Sequence, residues 1–230
     1  MAENLKNEVA FFGRITAGAT HEMKNVLAII RESSGLIQDL MALSPEALPH
    51  QEKYQKALAS ISAQVKRGTD LTTCLNQFAH APDQTLKQVD LLEIAAVLLA
   101  LTQRFARLKN IVMTCEPPAA SGPPVLLITH PVRMLMGLFS ALECWINLAP
   151  PGSRIHVTPF KKEHACIVGI TCEGDLSERN TLARRLSGTA PWPLLEKAVL
   201  QLNGRIEIDE SSACISLLFN DLQTAMAPDG

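Results

Sequence analysis

The sequence predicts an α + α/β sandwich: a long antiparallel helical hairpin over residues 1–82, followed by an α+β domain over residues 88–222. Three observations lead to this fold class. Two long stretches with helical apolar spacing come first, and a short segment with two prolines separates them. A polar segment with a proline follows at 80–90. Beyond it, strand-like runs alternate with helix-like stretches, which is typical of a sheet with helices on a face.

The first predicted helix covers residues 4–43, which contain no proline. Its apolar residues fall on a spacing of three and four, with Thr16 and Ser33 filling the gaps, which is typical of a coiled-coil or bundle seam. The predicted seam consists of Leu5, Val9, Phe12, Ala19, Met23, Val26, Ile30, Ile37 and Leu40.

The second predicted helix runs from about Tyr54 to Phe78, where the same spacing returns. The prolines within 44–50 end the first helix, so the two helices form an antiparallel hairpin. One hairpin alone leaves a long apolar seam in water. We therefore expect a homodimer in which two hairpins form a four-helix bundle. The alternative is a hairpin that packs against its own C-terminal domain.

The second domain is predicted to hold one mixed sheet with helices on a face. Residues 80–90 are expected to be a linker. Helices are predicted over 91–107, 132–148 and 194–202, and strands over 110–116, 125–129, 154–160, 165–171, 205–209 and 213–219.

Composition excludes several classes of function. The formal net charge is -2 with acids and bases mixed along the chain, so neither a nucleic-acid partner nor an anionic membrane surface is expected. The first ten residues carry charges without an apolar core, and no apolar stretch reaches the roughly 20 residues that cross a bilayer. A soluble cytoplasmic protein is expected. The six cysteines form no CxxC pair, and we expect buried, reduced thiols and no metal site.

One histidine in the first helix is a candidate nucleophile. At about 100° per residue, His21 lies roughly 200° from both Ala19 and Met23, so its imidazole is predicted to face solvent. A carboxylate at position 22 would accept the Nδ1–H and leave Nε2 more basic. Lys24 and Arg14 would balance phosphoryl charge, and Asn25 would place a water or hydrogen-bond a partner. A solvated surface histidine without function is the alternative.

The segment HEMKNVLAII resembles the phosphoacceptor box of sensor histidine kinases, in which a histidine and a glutamate precede a basic residue, Asn or Thr, commonly Pro, and Leu. The matching positions are His21, Glu22, Lys24, Asn25, Val26 and Leu27, so that only the proline is missing. The box also stands in the first helix of a hairpin before an α+β domain, as in that family. The resemblance implies that His21 is phosphorylated with the assistance of Glu22.

The second domain resembles the ATPase domain of the same kinases, but its nucleotide-site positions differ from theirs. Where the family has two asparagines in one helix, this chain has Ser140 and Cys144, and the second of these positions holds magnesium in the family. Cys172 replaces the adenine-binding aspartate, while Gly174 and Gly188 are retained. A thiol is a poor substitute for a hard oxygen ligand of magnesium. The pocket is therefore expected not to use ATP, and no cofactor is expected.

A hairpin with a reactive histidine beside a degenerate ATPase-like domain is similar to the histidine phosphotransferases of bacterial phosphorelays. The predicted function is transfer of a phosphoryl group between His21 and the aspartate of response-regulator receiver domains, with Mg²⁺ supplied by the receiver. A hybrid or separate histidine kinase is a further possible partner. Two alternatives stay open: an ATP-dependent histidine kinase with a divergent nucleotide site, and a non-enzymatic pseudokinase that binds a response regulator.

Overall fold

The computed structural model describes residues 2–43, 51–116, 123–176 and 179–220. Helix α1 spans Ala2–Leu43 and helix α2 spans Gln51–Ala79. The two run antiparallel: the Phe11 ring meets Phe78, and the hydroxyls of Ser33 and Ser60 lie 3.2 Å apart. The predicted hairpin is confirmed, while the break predicted at 44–50 lies outside the described residues.

The buried stripe of α1 differs from the predicted seam. Its fully buried side chains are those of Phe11, Ile15, Ala19, Glu22, Val26 and Leu40. Leu5 and Val9, which were expected in the same seam, are each 63% exposed. Helix α1 carries apolar residues on two faces. Among the described residues, one of these faces is buried within the chain and the other is exposed.

The segment between the hairpin and the second domain is not merely a linker. Strand β1, Lys87–Asp90, pairs antiparallel with strand β3, Leu126–Thr129, in a two-stranded sheet. Helix α3, Leu91–Arg107, follows directly, and the Asp90 carboxylate caps it by accepting a 2.9 Å hydrogen bond from the Leu92 amide. A four-residue strand is too short to give a clear alternation in the sequence.

The main sheet has five strands in the order β2-β4-β5-β7-β6. Strand β2 is parallel to β4 and the other neighbours are antiparallel. The strands are β2 Val112–Cys115, β4 Arg154–Lys162, β5 Ala165–Glu173, β6 Arg205–Asp209 and β7 Cys214–Asn220. The prediction of one sheet was wrong because β3 pairs with β1 instead.

Three further helices complete the second domain. Helix α4 spans Pro131–Leu148, α5 spans Leu182–Ser187 and α6 spans Trp192–Gln201. The Trp145 ring is fully buried, and its Nε1–H donates a 3.0 Å hydrogen bond to the carbonyl of Ile170, which fixes α4 on the sheet. Helix α5 was not predicted, since six residues are too few for a periodic signal.

The hairpin packs against its own second domain through a cluster of aromatic rings. Phe11 contacts Phe78 of α2 and Phe139 of α4, with ring centroids 5.5 and 5.6 Å apart. Phe105 of α3 joins the cluster 5.7 Å from Phe139. A side-chain carbon at Gly18 would lie 3.4 Å from the Phe105 ring, so α1 and α3 approach closely there. The alternative in which the hairpin packs on its own domain therefore holds for this part of α1.

Two further expectations concern membranes and cysteines. Among the described residues, no helix is long and apolar enough to cross a bilayer. None of the six cysteines, all of which lie in the described ranges, forms a disulfide bond. Cys144, Cys166 and Cys172 are buried as expected, whereas Cys74, Cys115 and Cys214 are only partly buried.

Candidate functional site

His21 lies in the middle of α1 with its side chain exposed to solvent. The exposed band around it includes Ala17, Thr20, Lys24 and Asn25. The outward orientation that the periodicity predicts is therefore found. An exposed imidazole on a long helix has a fixed position and is accessible to a protein partner, which a transferring nucleophile requires.

Glu22, the next residue, occupies a different environment. Its side chain is 3% exposed, and its Oε2 accepts hydrogen bonds from Arg67 of α2 and from Arg107 of α3. This arrangement differs from the predicted hydrogen bond to Nδ1 of His21. On a helix, adjacent residues point about 100° apart, so the exposure of His21 carries Glu22 into the hairpin–domain junction.

A second polar contact joins the hairpin to the second domain about two helical turns before His21. Arg14 forms a two-pronged ion pair with Glu143 of α4, in which Nη1 donates to Oε2 over 3.0 Å. The Arg14 guanidinium also lies 5.1 Å from the centre of the Phe139 ring. A guanidinium group held in this way contributes to the packing of the hairpin against the second domain.

A shallow groove of about 910 Å³ runs along α1 and ends at His21. Leu5, Val9 and Phe12 supply its apolar part, and His21 and Lys24 lie at its other end. The groove thus contains the exposed members of the predicted seam. It places an apolar surface and the candidate nucleophile on one continuous face of the hairpin.

The positions that correspond to a nucleotide site are mostly sealed. Ser140, Cys144 and Cys172 are all buried. The Thr189 hydroxyl lies 3.2 Å from the Cys144 sulfur, and burial raises the pKa of the Cys144 thiol to about 11. A protonated, buried thiol is not a ligand for magnesium. These three side chains are therefore enclosed within the second domain and are not presented at its surface.

The two retained glycines have local structural roles. A side chain at Gly174 would collide with the hydroxyl of Ser153. Gly188 ends α5, where its amide donates a 3.0 Å hydrogen bond to the carbonyl of Arg184. Beside Gly188 lies an open depression of about 450 Å³, which is also lined by Leu148, Arg184 and Arg185. Within the described ranges, no group of three or more histidine, cysteine or acidic residues is placed to hold a metal ion.

The buried Cys144 thiol should react slowly with an alkylating reagent. A thiol with a pKa of about 11 is almost wholly protonated at pH 8, and only the thiolate reacts with iodoacetamide. We expect Cys144 to be labelled at least about a hundredfold more slowly than the partly buried Cys214 in the native protein. Mass spectrometry of peptides from a labelling time course measures both rates. Equal rates at the two cysteines in the native protein would show that the Cys144 position is open.

The residues that sequence analysis missed are the two arginines at Glu22. Arg107 stands 85 positions from Glu22 in the chain, so no local pattern connects them. Arg67 belongs to α2, and its pairing with Glu22 depends on the register of the hairpin. An acidic residue on the buried face of a predicted helix was the available signal, because buried carboxylates require cationic partners.

Comparison with known proteins supports the fold. The sequence matches no family model, and the curated proteins give no significant match. Among solved structures, the catalytic domain of the histidine kinase ThkA is 14% identical, with a TM-score of 0.50, and the alignment covers 60% of this chain and 98% of that domain. The histidine kinase AdeS of Acinetobacter baumannii is also 14% identical, with a TM-score of 0.47 and coverage of 87% and 98%. The second domain has the fold of a histidine kinase catalytic domain.

Proposed function

We propose that this chain is a phosphorelay histidine phosphotransferase. The observation that carries the proposal is an exposed His21 on a helical hairpin whose companion domain, although it has a kinase catalytic fold, has buried residues at the nucleotide positions. If His21 receives no phosphate from a nucleotide in its own chain, it must exchange phosphate with another protein. The chemically matched donor is the aspartyl phosphate of a receiver domain.

The transfer needs little from this chain beyond positioning. Nε2 of His21 attacks the phosphorus of the aspartyl phosphate; the N–P bond forms as the acyl P–O bond breaks, and the electron pair returns to the aspartate carboxylate. The imidazole then releases its Nδ1 proton to solvent. The reverse steps return the phosphate to a second receiver. Mg²⁺ bound by the receiver balances the developing charge, so no metal of this chain takes part.

The proposal includes a homodimer. Leu5 and Val9 in the groove on α1 are exposed, as are Leu27 farther along that helix and Leu58 and Val65 of α2. We assign these side chains to one apolar stripe, because Leu58 and Val65 are one heptad apart and Leu5, Val9 and Leu27 fit the three-and-four spacing of a four-helix bundle seam. A second copy of the chain would cover the stripe and leave His21 at the edge of the interface. A receiver partner also implies a cytoplasmic location.

Nucleotide binding separates this proposal from the ATP-dependent kinase. We expect 1 mM ATP with magnesium to leave the melting temperature unchanged and to place no label on His21. A ligand present at 100 times its Kd stabilises a protein by about 2.7 kcal/mol, which would raise the melting temperature by about 5–10 °C for a chain of this size. Thermal shift and autoradiography with labelled ATP measure the two effects, and an active kinase catalytic domain is the control. A clear thermal shift together with label on His21 would support the kinase instead.

A further inference from the structure

One polar cluster at the junction of the hairpin and the second domain is centred on Glu22. Its carboxylate is buried and receives one arginine from the hairpin and one from the second domain. Arg67 and Arg107 keep 36% and 48% of their side chains exposed, so their guanidinium groups reach the junction from the solvent side. Three different helices therefore meet at the residue directly after His21.

The geometry of the cluster argues against a role for the Glu22 carboxylate as a general base. A general base must present a free oxygen to the proton that it removes. Oε2 of Glu22 accepts from two guanidinium groups, the residue is almost wholly shielded from solvent, and within the described residues no hydrogen bond joins its carboxylate to the His21 ring. The phosphoryl transfer described above also needs no base, since the attacking Nε2 of a neutral imidazole carries a lone pair. The cluster must therefore contribute to transfer by holding the neighbouring His21 in position.

We propose that Glu22 is a positioning residue, and that its bonds to Arg67 and Arg107 make the second domain part of the phosphotransfer site by fixing the His21 turn of α1. This inference rests on the proposed phosphotransferase function. It also gives the second domain a purpose other than nucleotide binding. Arg107, at the end of α3, is the member of the cluster that the described part of the second domain contributes.

The rates of variants with neutral side chains test the proposal. We expect Glu22→Gln and Arg107→Gln each to slow transfer from a saturating phosphorylated receiver by about tenfold to a hundredfold, with the receiver Kd changed less than about twofold, because misplacement by about 1 Å costs that much. The double variant should transfer no more slowly than either single variant, since both substitutions remove the same Glu22–Arg107 interaction. Arg31→Gln, an exposed arginine of α1, should keep the wild-type rate.

Two other results would overturn the proposal. If Glu22→Gln slows transfer and Arg107→Gln does not, the carboxylate acts on its own. If neither variant changes the rate per folded molecule, the cluster serves stability alone. Leu186→Ala, a buried change in α5, is the matched control for lost stability, and it should leave the rate per folded molecule unchanged.

Hydrogen exchange decides the inference even if the wild-type chain shows no transfer, in which case the proposed function fails separately. We expect Arg107→Gln to speed amide exchange around residues 18–25 by about tenfold or more, and Leu186→Ala to leave that segment unchanged. Exchange of that segment that is unaffected by Arg107→Gln would overturn the positioning role.

Discussion

Replacement of His21 by alanine is expected to abolish phosphotransfer while the fold stays intact. No other exposed imidazole in the described part of the chain stands in the middle of the hairpin, so the rate should fall by at least about three powers of ten, to background. His21 is exposed, and surface substitutions of this kind usually change the free energy of unfolding by less than about 0.5 kcal/mol. The measurement is loss of label from a phosphorylated receiver, with thermal melting in parallel.

The matched control is His164→Ala, which removes another exposed histidine, in the turn between β4 and β5. It should transfer at the wild-type rate. Transfer retained in His21→Ala would mean that another group carries the phosphate. If the wild-type chain accelerates loss of receiver phosphate without any label on His21, the site acts as a phosphatase, and Asn25 is then the candidate for placing the water.

The substitution Val9→Asp is expected to convert a dimer of about 50 kDa into a monomer of 25.0 kDa. Val9 is 63% exposed in the single chain and lies in the groove that ends at His21. An unpaired charge in an apolar interface makes the free energy of dimerisation less favourable by about 3 kcal/mol. A two-fold interface contains the substitution twice, so this cost is doubled. The dimer Kd should therefore rise by about four powers of ten. Analytical ultracentrifugation over a concentration series measures the change.

Leu200→Asp provides the control for this experiment, because Leu200 is also an exposed apolar residue but lies on α6 in the second domain. It should leave the dimer unchanged. A wild-type chain that stays monomeric at high concentration would contradict the proposed interface. A dimer that survives Val9→Asp but not Leu200→Asp would place the interface on the second domain.

Local sequence signals were enough to predict much of the fold. Helix α3 was predicted at 91–107 and is found at Leu91–Arg107, and strand β6 was predicted with its observed bounds. The exposure of His21 followed from helical geometry. His21 comes two residues after Ala19, about 200° around the helix, so its side chain faces away from that of Ala19. Each of these results depends on periodicity within a few turns or on one short alternating run.

The remaining features depend on contacts between distant residues. The apolar residues of α1 form two stripes, and the sequence does not say which one packs inside the chain. The partners of Glu22 come from α2 and α3, which only the tertiary arrangement brings together. Likewise, residues 126–129 were placed in the main sheet, but they pair with β1 because that strand enters from the end of the hairpin. These results are set by packing, which propensity does not encode.

Phosphotransfer through His21 can be tested by identifying where the phosphate goes when no nucleotide is present. The purified chain is mixed with receiver domains from the same genome, each phosphorylated beforehand with a labelled small phosphodonor that is then removed. The account predicts acid-labile, alkali-stable label on the chain, which mass spectrometry places on His21, and label that returns to a second receiver. Label that reaches His21 from ATP with magnesium, but from none of the phosphorylated receivers, would contradict it.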